Sequence, residues 1–126
     1  MIIAIGTDIL EIRRLEQSVG RSGEAFLRRF LTEEELEYAR SRGAAFLPHC
    51  AGRWAAKEAV AKMLGTGFGA HCSWQDITIR NLPSGAPQVI LQGAAKQTAD
   101  SLGIKRILIS ISHEQNYCTA TVIGTE

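Results

Sequence analysis

The sequence predicts an α+β fold with a mainly antiparallel sheet around a long central helix. Three observations carry that expectation. Strand-like and helix-like stretches mix without a strict βαβ alternation. The chain closes on two strand-like runs separated by only four residues, which is hairpin spacing. One helical pattern, 48–64, occupies the middle of the chain.

The elements follow in order. Residues 2–12 (IIAIGTDILEI) are β-branched and apolar and read as a buried strand, with Gly6 a bulge or a point of close approach. A short helix is expected after Ser22, burying Phe26, Leu27, Phe30 and Leu31. Thr32 with Glu35 makes a capping box for a second helix that stops at Gly43. Pro48 suits the first turn of the third helix, which reaches Leu64 and is closed by Gly65. Its core stripe is Ala56, Ala59, Val60, Met63 and Leu64. Strands are expected over 77–80 and 88–91, joined by the turn-rich 81–87. A fourth helix over 94–102 ends at Gly103. Strands 107–112 and 117–123 complete the hairpin.

At 126 residues the chain is expected to be one domain, 1–126, burying about two-thirds of its unfolded surface. Neither repeats nor linkers divide it. A net charge of +1 gives no global basic field, so no nucleic-acid partner is expected. Apolar runs are too short for a membrane span, and Asp8 and Glu11 interrupt the opening isoleucines too early for a leader. No membrane partner is expected. Cys50, Cys72 and Cys118 form an odd set without a C-x-x-C pair, which excludes a zinc cage and points to free thiols in a reducing cytoplasm.

Four features carry candidate chemistry. Asp8 is a carboxylate inside an apolar strand, costly unless paired or metal-bound, although a strand-end turn contact would also explain it. Trp54, Glu58 and Lys62 recur every fourth residue and share one helix side; as a surface pair, Glu58–Lys62 is worth only about 0.2–0.5 kcal/mol. Gly65-Thr66-Gly67 follows that helix; Gly65 is explained as a cap, and Thr66 and Gly67 are expected to expose backbone N–H groups as a phosphate nest. Ser110-Ile111-Ser112-His113-Glu114 ends a strand, where a surface histidine and a functional one are both in keeping. Arg13, Arg14, Arg21, Arg28 and Arg29 crowd 13–29, either as a docking patch for an acidic protein or as a solvated helix face.

Together these pieces resemble the holo-acyl-carrier-protein synthase family, of the 4′-phosphopantetheinyl transferase type. Ala4-Ile5-Gly6-Thr7-Asp8-Ile9 is similar to its opening G-I-G-x-D-I, with Ala4 in place of the first glycine. Trp54-Ala55-Ala56-Lys57-Glu58-Ala59-Val60-Ala61-Lys62-Met63-Leu64-Gly65-Thr66-Gly67 resembles its F/W-A-x-K-E-A-x-x-K-x-x-G-T-G. Ser110 to Glu114, followed by Thr119-Ala120-Thr121-Val122, resembles its S-I-S-H-E and final strand, and 30–35 resembles the link between motifs. The stretch Leu47-Pro48-His49-Cys50-Ala51 departs from the family's shorter, often basic approach to the second motif.

The resemblance implies a 4′-phosphopantetheinyl transferase-like fold and transfer of phosphopantetheine from coenzyme A to a serine of acyl carrier protein, in service of fatty acid synthesis. It implies Mg2+ (or Mn2+) held by Asp8 and Glu58, with Asp8, Glu58 and Lys62 catalytic. Arg53, Lys62, Gly65, Thr66, Gly67, Ser112 and His113 would hold coenzyme A, and Arg14, Arg21, Arg28 and Arg29 would dock the acidic carrier. It implies a cytoplasmic symmetric trimer, in which Asp8 is expected to face Glu58 of a neighbouring chain. Two rivals come from other classes: a coenzyme-binding module without catalysis, and a magnesium-dependent phosphotransferase acting on a small molecule. Carboxylates that repel phosphates unless a metal intervenes disfavour the first, and the arginine patch disfavours the second.

Overall fold

A computed structural model describes residues Met1–Glu126. Its elements run β1 (Ile2–Glu11), α1 (Ile12–Phe30), α2 (Glu33–Arg40), α3 (Phe46–Leu64), β2 (Ile77–Asn81), β3 (Pro87–Leu91), α4 (Gly93–Ser101), β4 (Arg106–His113) and β5 (Tyr117–Thr125). The sheets have the orders β1-β5-β4 and β2-β3, and every pairing is antiparallel, as the sequence predicts. Helix α3 lies against β1 and β5, and α1 and α2 also pack on it.

Small residues make that packing possible. Ala51, Ala55, Ala56, Ala59 and Ala61 of α3 are all buried. The expected stripe of Ala56, Ala59, Val60, Met63 and Leu64 is buried too, but burial extends nearly around the helix. Neighbours on several sides erase the one-sided periodicity that the sequence was read for.

Three boundaries differ from expectation. Helix α1 starts at Ile12, directly from β1, not after Ser22. Its earlier half anchors only Ile12 and Leu15 in the core, so its apolar signal is thin. The break comes at Gly23, where φ 55° and ψ −133° suit glycine alone. Helix α2 ends at Arg40 rather than at Gly43, and a 3₁₀ turn over Gly43–Ala45 leads into α3 at Phe46, so Pro48 stands third in the first turn. Gly6 is a close-approach point, while the register shift lies between Ile2 and Ala4. The hairpin after β4 forms as expected, with Glu114 Oε1 accepting from the amides of Asn116 and Tyr117 at 2.5 and 2.7 Å.

One charged pair sits in the core. Lys57 Nζ lies 2.6 Å from Glu35 Oε1, and both side chains are fully buried. The ammonium also donates to the carbonyls of Phe30 and Trp74 at 2.7 and 3.1 Å. Glu35 accepts from the amides of Thr32 and Ile79 at 2.8 and 2.7 Å, the first closing the predicted capping box. Both ions are therefore fully partnered, as burial demands. Replacing Lys57 with Met should strand the carboxylate and cost about 3 kcal/mol or more in urea unfolding. The double replacement with Glu35→Gln keeps the acceptor without the charge and should recover at least about 1 kcal/mol. A single-variant loss below about 1 kcal/mol would refute the pair's role.

Candidate active site

Strand β1 reaches α3 through Gly6. A Cβ there would overlap the Ala59 carbonyl oxygen and stand 2.6 Å from the Met63 amide, so only glycine lets the two backbones meet. Two residues on, Asp8 points to the same sheet face, paired with Ala120 and Ile111 across the sheet. Its Oδ1 lies 3.0 Å from Lys62 Nζ. The Asp8 side chain is 14% exposed and that of Lys62 is 55% exposed.

Glu58, one turn before Lys62, completes the group. Burial pushes its carboxyl above the ordinary range, the Asp8 charge pushes it further, and Lys62 only partly opposes them. No third His, Cys, Asp or Glu joins the two carboxylates. Both line an open cavity of about 430 Å³, with Arg14 and Arg21 from α1 and an apolar wall of Phe26 and Trp54. Phe26 and Trp54 stack at 5.7 Å between ring centroids.

Asp8 and Glu58 therefore meet within one chain. The expectation that Asp8 faces Glu58 of a neighbouring chain is corrected: the contact at Gly6 leaves Asp8 only the α3 of its own chain to face. A second correction concerns Gly65-Thr66-Gly67. The amides of Gly65 and Gly67 turn back to the carbonyls of Ala61 and Lys62, and the Thr66 hydroxyl donates to Gly67 O at 2.9 Å. These glycines close the helix with φ 80° and 65°, so of the two expected free N–H groups the Gly67 amide is turned inward and only that of Thr66 has no backbone partner. What they leave is room, since nothing lies within 4 Å of a Cβ built at either glycine.

Three predicted coenzyme residues stay apart from the acidic pair within the chain. Arg53 is buried on another flank of α3, bonded to Asn81 and sharing a cavity with His49, Tyr38 and Arg80. Its Nε and the Nε2 of His49 lack partners, and burial and nearby cations hold His49 down at about 4. His113 rests on the first turns of α3, its ring Nε2 3.0 Å from Pro48 O and against Gly52. Ser112 belongs to the sheet row Ile9–Thr119–Ser112, on the face opposite Asp8. The arginines divide likewise. Arg14 and Arg21 reach the cavity, Arg28 is ion-paired with Glu24 and Glu33, and Arg29 lies beside a second cavity with Phe30 and Trp74.

Sequence reasoning did not single out Phe26 as a wall of the site, although Trp54 shares the Glu58 side of α3 by spacing alone. It also passed over Gln17 and Ser18, which line the cavity, because the helix half that carries them was not expected.

Fold and site define a class: a small α+β protein whose antiparallel sheet rests on one long helix, with a carboxylate pair and a lysine at their junction. Within that class the chain belongs to the 4′-phosphopantetheinyl transferase superfamily, whose profile matches residues 4–122. It is 46% identical to the holo-[acyl-carrier-protein] synthase of Vibrio cholerae serotype O1 (strain M66-2) over 125 residues, covering 98% of this chain and 97% of that one. The synthase of Neisseria meningitidis superposes with a TM-score of 0.92 at 35% identity, covering 100% of both chains. That of Helicobacter pylori, solved in complex with coenzyme A, gives 0.84 at 35% identity, covering 96% of this chain and 99% of that one.

The raised Glu58 pKa has a consequence for stability. A carboxyl whose folded pKa exceeds its unfolded value costs stability as pH rises from the unfolded value of about 4.5 through the folded one. Glu58→Gln removes that cost, so its melting temperature should exceed the parent's at neutral pH. The advantage should vanish as pH falls below about 4.5, where Glu58 is itself protonated. A Gln variant no more stable at neutral pH would contradict the cost of burying the Glu58 charge beside Asp8.

Proposed function

We propose that this protein transfers the 4′-phosphopantetheine group of coenzyme A to a serine of an apo acyl carrier protein, releasing adenosine 3′,5′-bisphosphate. The observation that carries the reading is the junction of Asp8, Glu58 and Lys62 at a cavity flanked by arginines, in a chain of this superfamily. The serine oxygen attacks the β-phosphorus, and the bond from that phosphorus to the leaving nucleotide oxygen breaks. Such a transfer needs positioning and charge neutralisation more than covalent help.

Asp8 and Glu58 would hold a magnesium ion. Two hard carboxylates beside open space fit a cation that keeps waters and substrate oxygens as its remaining ligands, and manganese fits similarly. Bound there, it would neutralise charge on the phosphate oxygens and the leaving group. Lys62 is exposed enough to give its ammonium to the pyrophosphate. The open turn at Gly65–Gly67 leaves space for the phosphates beyond α3. Glu58 would take the serine proton directly or through a water. Arg14 and Arg21 offer an acidic carrier two cations at the cavity mouth, and Phe26 and Trp54 offer apolar contact.

Assembly as a symmetric trimer belongs to the same reading. The outer face of the three-stranded sheet carries Ile5, Ile9 and Leu108 at 63%, 67% and 55% exposure, with Ile123 between Ile5 and Leu108 in one row. An apolar sheet face of this kind asks for a cover. A second copy packed there would bring Ser112 towards another chain's carboxylates to help hold coenzyme A, while Arg53 and His113 would hold its 3′-phosphate. Residues 1–126 would then act as one transferring domain, shared at its edges. The three cysteines are buried and unpaired, with burial pushing Cys50 up to about 12, in keeping with the cytoplasm. No helix is long and apolar enough to cross a membrane.

The test is mass spectrometry of an apo acyl carrier protein incubated with coenzyme A, magnesium and this protein. The carrier should gain one phosphopantetheine; excess chelator should abolish the gain and manganese should restore it. Arg21→Glu should raise the KM for the carrier at least threefold with little change in that for coenzyme A. An unmodified carrier, or full transfer in chelator, would overturn the reading. Light scattering should give the mass of three chains, and Ile9→Lys should lower it. A one-chain mass for the parent would remove the trimer.

A further inference from the structure

We infer that Lys62 is also a resident counter-ion of the metal site: its ammonium holds Asp8 until coenzyme A draws it off, so that divalent cation binds weakly to the free protein and more tightly to the coenzyme-loaded one. The inference rests on the assignment of Asp8 and Glu58 as the carboxylates that hold the metal.

The two carboxylates are unlike in their partners. Asp8, fixed on a strand and largely covered, has one cation against it, Lys62 at 3.0 Å. Glu58 takes part in no ion pair. One ammonium thus neutralises half of a doubly acidic site. A divalent cation that uses both carboxylates must displace the ammonium from Asp8, and then sits beside a positive charge that is left without a partner. Both effects weaken binding, because Coulomb interactions at such spacing are only partly screened in a half-covered cavity.

A pyrophosphate changes that balance. Lys62 has a long flexible side chain, more than half exposed, anchored on the helix one turn past Glu58. An anionic diester group at the cavity gives the ammonium a new partner without any movement of the backbone. Asp8 is then free for the metal, and the ion pair lost on one side is replaced on the other. Coupling of this kind is reciprocal, so metal must tighten coenzyme A by the same factor as coenzyme A tightens metal. The direct attraction of metal for phosphate adds to it, but that part does not depend on Lys62. The part that does is the weakness of the free site.

The experiment is a titration of the full chain with Mn2+, read by the electron paramagnetic resonance of the free ion, with and without coenzyme A and corrected for the coenzyme's own manganese binding. Without coenzyme A, Lys62→Met should bind Mn2+ at least threefold more tightly than the parent. Lys62→Arg, which keeps a cation, should stay at the parent's affinity. With coenzyme A present, the advantage of Lys62→Met should shrink or reverse. Lys62 is exposed, so the variants should fold, and circular dichroism checks this. Equal or weaker Mn2+ binding by Lys62→Met in the free protein would overturn the inference while leaving the metal assignment standing. Absence of Mn2+ binding by the parent in both conditions, or binding undiminished by Asp8→Asn, would overturn both.

Discussion

Everything at the site depends on the direct contact between two backbones at Gly6. Strands normally keep helices at a distance set by side chains, and here the strand has none at the contact and meets backbone atoms of the helix. Glycine on β1 meets the Ala59 turn of α3, so the carboxylate two residues later falls beside the lysine three residues later on the helix. Any residue with a Cβ at position 6 would push β1 outward and separate Asp8 from Glu58 and Lys62. Gly124 on β5 meets Ile104 and the sulfur of Met63 in a similar close approach, which keeps the neighbouring strand down as well.

Helix α3 carries four charges, and its surroundings divide them into two pairs. Arg53 and Lys57, four residues apart, point into the body of the protein; Glu58, which lines the cavity, and Lys62, which reaches Asp8, are also four apart. Each lysine meets a carboxylate from another element, Lys57 with Glu35 and Lys62 with Asp8. The pairs differ in completeness. The buried one has all three ammonium protons donated and both carboxylate oxygens bonded, and it joins α2, α3, β2 and the end of α1. The exposed one leaves Glu58 without an ion pair of its own and only partly offset by Lys62. Full satisfaction makes a rigid support, and partial satisfaction makes a site that a cation and a phosphate can complete. The chain therefore keeps its fully buried ion pair and the pair assigned to the site on adjacent sides of a single helix.

The chain also shows a division of the groups assigned to coenzyme A. Asp8, Glu58 and Lys62 face one side of the sheet, while Ser112 lies in a row on the other, among exposed isoleucines. A ligand as long as coenzyme A would need both sets. That separation and the uncovered sheet face are the two features that the proposed trimer would answer.

The sequence by itself determined the antiparallel α+β architecture, the hairpin, the helix that ends at Gly65, and the family, because alternation, caps and motif spacing are local properties of the chain. Asp8, Glu58 and Lys62 were legible for the same reason. Three things were not. The first half of α1 gave too weak a periodic signal, with two buried residues among arginines, Glu16 and Gln17. Lys57 and Lys62 look alike as lysines on one helix, and only the position of Glu35 makes the first structural. The partner of Asp8 was the last. Which copy of α3 a strand meets depends on how closely two backbones can pass, and that distance is set by Gly6 against Ala59 in three dimensions, not by any spacing along the chain.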